Sequence, residues 1–242
     1  KRKLGRRWFD YIMPNDGRLN ATFAITFAFL QSHNHFVVAR GSSVLNHSAP
    51  VILPDPPGES DVAYSALACL NTSVGLFWLK QNSHNKGSGG AASVGERRKD
   101  YYEFTGTTLK DFPLTRDDYS AFGRSLDALG EKALRLSPSG LLKDAPPSID
   151  LLRSSADGVA KVLVKMVAEQ EELDWKAYVS YGIIEEDLTF GEDLPDVRVG
   201  ERSFEILMAR LDQPGKYETA WFKETPANAT TEVPTRWPEP YR

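Results

Sequence analysis

The chain has 242 residues, 41% of them hydrophobic and 26% charged, the composition of an ordinary soluble globular protein with room for one large or two small cores. A single cysteine excludes an internal disulfide. The net charge of −4 hides an asymmetry: residues 1–116 hold 14 Lys and Arg against 9 Asp and Glu, a net of +5, and residues 117–242 hold 15 against 24, a net of −9. A basic half favours a polyanion such as nucleic acid, and an acidic half is more often a solvated or protein-facing surface.

The sequence opens "KRKLGRRWFD" without an initiator methionine, as expected of a processed chain or, more simply, of a piece of a longer protein. The longest apolar run, "ATFAITFAFL" from Ala21 to Leu30, is about half the ~20 residues that a membrane span needs, so neither an anchor nor a signal peptide is expected. With Cys69 placed in the apolar run "SALACLN" as a small buried hydrophobe, a reducing, cytoplasmic compartment follows. "FAITFAFL", "HFVVARG" and "APVILP" are expected as short strands, rich in β-branched and aromatic residues and punctuated by Gly41, Asn46 and Pro50. His33 and His35 alternate as strand neighbours on one face. Ser60-Asp61 caps a helix with Ala63, Leu67, Leu70 and Val74 at helical spacing, running into "GLFWLK". A polar, glycine-rich loop over residues 81–100 follows, and "YYEFTGTTLKDFPL" is strand-like up to Pro113.

Beyond Asp117 the periodicity is helical. One helix carries Phe122, Leu126, Leu129 and Leu134 on one side; a longer one carries Val162, Met166, Glu169 and Leu173 after a soft Gly158. The tail is acidic and then proline-rich, with Trp221, Trp237 and Tyr241 as anchors holding an extended strand against the body. The expected architecture is α+β: a mixed-sheet α/β domain over residues 1–116 with its loop at 81–100, support helices over 117–182, and a C-terminal tail over 183–242.

Catalytic chemistry is hard to find. "DPPG" at Asp55 has glycine where an amino-methylating Pro-Pro-aromatic motif needs a ring to stack on a flipped base, and "FTGTT" at Phe104 lacks the second glycine of a cofactor loop. No cysteine or nearby carboxylate completes a zinc set around His33 and His35, and His47 and His84 are isolated in loops, so no metal ligands are assigned. No Ser/His/Asp or Cys/His order and no phosphate-binding glycine fingerprint stands out, so the stretch holds no catalytic residues. What remains is the loop. Gln81, Asn82, His84, Asn85 and Lys86 offer the donors and acceptors that read base edges, and Arg97, Arg98 and Lys99 suit phosphates. A solvent loop and a DNA-reading loop both fit that composition.

The series "ATFAITFAFLQSHNHFVVARGSSVLNHSAPVILP", "ALACLNTSVGLFWLKQNSHNKGSGG", "YYEFTGTTLKDFPL", "QEELDWKAYVSYGI", "ETAWF" and "WPEPYR" resembles the C-terminal part of the adenine-specific DNA methyltransferases of BREX phage-defence systems, the PglX family, kin to single-chain restriction-modification methylases. The resemblance runs from about Ile12 to Arg242. It implies a target-recognition domain: a helix carrying Leu70-Asn71-Thr72-Ser73, with threonine inserted in the usual Asn-Ser pair, a variable loop, and a closing strand at Leu109–Leu114 that leads into spacer helices. It further implies a parent enzyme that methylates adenine N6 from S-adenosylmethionine, with the cofactor bound by an upstream methyltransferase domain and no cofactor in this stretch. This chain would choose the DNA site, reading bases from the Gln81 to Lys86 region and gripping phosphates of double-stranded DNA with Lys1, Arg2, Lys3, Arg6, Arg7 and Arg97 to Lys99. Two other roles stay open: a protein-interaction module docking other defence-system subunits, and a stand-alone specificity subunit.

Overall fold

The run FAITF is almost wholly apolar, the pattern of a strand covered on both faces. In the computed structural model, which describes residues 21–41, 45–87, 100–143, 146, 148–212, 219, 221–224 and 228–242, this segment is β1 (Phe23–Phe27). Strand β2 (Leu30–Gln31) leaves for a second sheet, and β3 (Phe36–Arg40) and β4 (Val51–Ile52) return to flank β1 in the order β3-β1-β4. Phe27 stands opposite Phe36 with ring centroids 4.9 Å apart. His33 and His35 fall in the irregular segment before β3, outside the strand in which they were expected.

The helix expected from Asp61 is two helices. Helix α1 (Asp61–Leu70) begins where Ser60 Oγ accepts from the Ala63 amide at 3.2 Å. The chain turns by 69° before α2 (Ser73–Asn82). The break lies at Leu70-Asn71-Thr72-Ser73, which the family resemblance assigned to a helix. Thr72 is its cause: wholly buried, it donates from Oγ1 to the Cys69 carbonyl at 2.8 Å and accepts the Gly75 amide at 2.9 Å, capping the new helix. A Cβ at Gly75 would lie 2.9 Å from the Cys69 carbonyl oxygen, so this corner needs glycine.

Residues 81–87 are ordered structure where a loop was expected. Gln81 and Asn82 finish α2, and β5 (His84–Gly87) pairs with β6 (Tyr101–Glu103) in a second three-stranded sheet of order β2-β6-β5. All described pairings in both sheets are antiparallel, rather than mixed. After Glu103 the chain turns helical: Thr105 caps α3 (Gly106–Lys110) by accepting the Thr108 amide at 3.1 Å, so the expected strand over Leu109–Leu114 does not form.

The chain divides into two units, Lys1–Ala63 with Trp78–Phe112, and Tyr64–Phe77 with Pro113–Arg242. In the second unit, α4 (Ser120–Leu136) leads through the short α5 (Pro138–Leu141) to the 32-residue α6 (Ile149–Ser180). α4 and α6 run antiparallel: Ser155 Oγ donates to the Leu136 carbonyl at 2.8 Å, and Ser125 Oγ donates to Glu169 at 2.9 Å. Gly158 does not soften α6; a Cβ there would reach ordinary contact with Leu136 at 3.4 Å. Leu134 points to solvent, because the stripe set by Phe122, Leu126 and Leu129 continues at positions 133 and 136.

The C-terminal region has a helix, α7 (Ser203–Leu211), a single turn, α8 (Trp221–Glu224), and no described strand. Its core joins Ala168, Val197, Ile206 and Trp237, with Val233 and Tyr241 against it. No single described helix is long and apolar enough to cross a membrane.

Candidate nucleic-acid interface

The second sheet carries the described base-readout candidates on two adjoining elements. Gln81 and Asn82 are exposed at the end of α2, and Asn82 Nδ2 donates back to the Trp78 carbonyl at 2.8 Å. His84, Asn85 and Lys86 are exposed on β5. Asn85 is committed within the protein, donating to Asp100 at 3.0 Å and accepting the Gly87 amide at 2.7 Å. Lys86 Nζ lies 2.7 Å from Glu103 Oε2. Gln81 and His84 therefore present the more available hydrogen-bonding groups, and Asn85 and Lys86 are held in place.

The phosphate candidates Lys1, Arg2, Lys3, Arg6, Arg7, Arg97, Arg98 and Lys99 lie outside the described residues. Their share of the charge is informative. The described part of the first unit holds Arg40, Lys80, Lys86 and Lys110 against Asp55, Glu59, Asp61, Asp100, Glu103 and Asp111. The positive surplus of the N-terminal half is thus carried by residues 1–20 and 88–99, and the sheet itself is not a basic surface.

The second unit holds a different concentration of charge, in its interior. Glu171, Glu172, Asp174 and Glu205 are all buried. Asp174 accepts from the Ser73 amide at 2.6 Å, from Ser73 Oγ at 2.7 Å and from Arg202 at 2.5 Å. Glu171 accepts from Arg202 Nε at 2.6 Å and from the Ser203 amide at 3.1 Å. Glu205 accepts the Gly200 and Arg202 amides at 2.7 and 3.1 Å and Trp221 Nε1 at 2.9 Å. Burial works against the Arg202 charge, but the two carboxylates outweigh it and hold the guanidinium pKa above its ordinary value. Among the described residues no cation pairs with Glu172. It accepts the Phe190 amide at 2.5 Å, and burial, reinforced by Glu171 and Glu169, pushes its carboxyl above the ordinary value.

These groups join elements far apart in sequence, with every buried carboxylate accepting at least one backbone amide, which is the arrangement of a structural clasp. Its neighbour is a cleft of about 430 Å³ lined by Trp175, Phe190, Trp237 and Tyr241 among others. Cys69 is likewise structural: buried beside the Tyr181 hydroxyl at 3.2 Å, its thiol is raised by burial, the opposite of nucleophile activation. Among the described residues no group of three or more His, Cys, Asp or Glu is placed to hold a metal ion. The chain does not fit S-adenosylmethionine at its two nearest motifs. Phe104 is wholly buried, Thr105 is spent on capping α3, and the segment after Asp55 offers Gly58 where a ring is needed.

Sequence reasoning did not single out Glu103, Tyr101 or Arg202. The alternation in "YYE" was the available signal for the first two; nothing local marks Arg202, because its partners lie 28 and 31 residues away.

An adenine-specific methyltransferase, PglX of Streptomyces coelicolor, is 35% identical over 249 aligned positions that take in 98% of this chain. The chain corresponds to a stretch of a PglX-family protein. It spans 20% of that relative's length. A family described as a domain of unknown function, DUF7008, matches residues 166–242, the region that contains the whole carboxylate clasp except its Ser73 partner. No solved structure matches.

Proposed function

We propose that this chain is the target-recognition and duplex-gripping part of an adenine-N6 DNA methyltransferase of a phage-defence system. Methyl transfer from S-adenosylmethionine then belongs to a domain elsewhere in the same parent chain. The observation that carries this reading is the asymmetry of the alignment: nearly all of this chain matches a fifth of an adenine-specific methyltransferase, and the two motifs nearest to a cofactor loop and a base-stacking motif, at Phe104 and Asp55, do not fit those roles. Such an enzyme needs a separate surface to select its site. Gln81 and His84 offer base-edge donors and acceptors, and Arg97, Arg98 and Lys99 supply phosphate contacts whose strength falls with salt.

Alanine at Arg97, Arg98 and Lys99 together is expected to weaken duplex binding and to make the dependence of log affinity on log salt shallower by about 2.7, from roughly 0.9 per phosphate contact. An unchanged affinity and an unchanged slope would remove DNA gripping from this segment.

One observation favours a second role. The N-terminal half of α6 exposes Ile149, Leu152 and Leu163 at spacings of three and eleven residues, on one side of the helix. An apolar stripe of this kind suits docking of another protein, and defence-system subunits are the partners that this reading would supply.

A further inference from the structure

The second sheet sorts its side chains by register. Leu30 stands opposite Glu103, and Glu103 opposite His84; Gln31 stands opposite Tyr102, and Tyr102 opposite Asn85. Directly opposed residues share a face of a sheet, and neighbours along a strand alternate. Leu30, Glu103 and His84 therefore lie on one face together with Tyr101, two residues from Glu103. The register shift between Asn85 and Gly87 brings Lys86 to the same face, where it meets Glu103. On the other face Gln31 is buried, and Lys80 of α2 lies 5.6 Å over the Tyr102 ring. The Leu30 face is the outer one: Leu30 and Tyr101 are 49% and 40% exposed, and His84 and Lys86 are open to solvent.

We propose that this outer face enters a groove of duplex DNA, with Tyr101 and the Glu103-held Lys86 as specificity-determining residues. The inference rests on the target-recognition reading above and names where on the unit that recognition happens. The face itself carries no net charge, and it is the basic sequence just before Tyr101 that favours a duplex as its occupant. β5 and β6 are joined through residues 88–99, whose sequence brings Arg97, Arg98 and Lys99 against one acid, Glu96, to the residues just before Tyr101. Among the described residues the face has one carboxylate, Glu103, and Lys86 already occupies it. A major groove admits a β-ribbon. There Tyr101 and Leu30 can pack on thymine methyl groups, and His84 and Lys86 can donate to guanine edges.

Glu103 has two effects in this arrangement. It holds the Lys86 ammonium in one position, which makes that donor directional, and it cancels a positive charge that would otherwise be drawn to any phosphate. Glu103 is thus a positioning residue acting through Lys86. Glu103→Gln is expected to raise affinity for DNA of arbitrary sequence and to steepen the salt dependence by about 0.9, while sequence preference falls. Tyr101→Ala is expected to reduce preference and leave the salt dependence unchanged.

The test is selection by the intact protein from a pool of short duplexes with a randomised central stretch, alongside binding of one fixed duplex at several salt concentrations. Weaker enrichment by both variants, with a steeper slope for Glu103→Gln alone, supports the proposal. A wild-type protein that enriches a sequence while both variants enrich it equally, with equal slopes, overturns it and leaves the target-recognition reading standing. A wild-type protein with no salt-dependent DNA binding overturns that reading and this inference together.

Discussion

Charge gathers in two places in this chain, and the two obey different rules. On the outer face of the second sheet, Lys86 and Glu103 form a partly exposed pair with water on several sides. In the second unit, Glu171, Asp174 and Arg202 form a nearly dry cluster in which each carboxylate also receives a backbone amide. The contrast refines a reading that the sequence invites. The C-terminal half carries a net charge of −9, and such a surplus is ordinarily taken for a solvated or partner-facing surface. Four of its carboxylates are instead interior, each accepting a backbone amide. Net charge along a sequence describes the surface only once the buried ions have been set aside.

The sharpest way to break this comparison is to remove the one cation in the clasp. Arg202→Ala leaves Glu171 and Asp174 buried next to each other with only neutral donors. Breaking a buried ion pair from one side costs on the order of 3–5 kcal/mol. Chemical denaturation should therefore show a large fall in midpoint, and the Ser73 end of α2 should lose protection from hydrogen exchange, because Asp174 would no longer be held towards it. A loss below about 1 kcal/mol would mean that water already screens the cluster, as at an exposed pair, and the distinction between the two regions would vanish.

Glu172 sharpens the same point through pH. Its folded pKa is raised, first by burial and then by Glu171 and Glu169, so the folded state binds this proton more tightly than the unfolded chain does. The stabilisation that follows is fully present below the unfolded value near 4.5 and is lost as pH rises through the raised folded value. Glu172→Gln keeps a carbonyl to accept the Phe190 amide and carries no charge. It should be more stable than wild type near neutrality, with the gap closing as pH falls through the raised value. Thermal melts of both proteins at a series of pH values would show this; a gap that widens on acidification would mean that Glu172 is stabilised as an anion.

How much of this was legible depended on the range of the interactions. β1, β3, β4, the Ser60 cap and the two long helices are written in local patterns of two or 3.6 residues, and they stand where those patterns place them. The break at Thr72 was missed because apolar spacing continues through it: Leu70 and Val74 fit one helix on paper, and only the Thr72 side chain, hydrogen-bonded in both directions, turns the chain. β5 was missed because "HNKG" is polar and reads as a loop; its partner β6 lies across residues 88–99, so the pairing has no local signature. The clasp was invisible for the same reason, with Ser73 and Asp174 separated by 101 positions. Among the proposed DNA contacts, residue types could be read from sequence. Which of them were already held by Asp100 or Glu103 could not.

The smallest expected effect is the most discriminating for function. If Lys86 and Glu103 are arranged for a ligand, breaking them should hardly disturb the fold. Lys86 and Glu103 keep 44% and 22% of their side-chain surface exposed, and pairs this open contribute about 0–1 kcal/mol. Lys86→Ala should therefore unfold within about 1 kcal/mol of wild type while duplex binding loses sequence preference and gains no salt dependence, because the paired Lys86 makes no phosphate contact. The opposite pattern, a marked loss of stability with DNA binding untouched, would make this pair a fastening of β5 to β6, a surface counterpart of the Arg202 clasp. The comparison would then run between a strong structural ion pair and a weak one, with the reading surface left to Gln81, His84 and Tyr101.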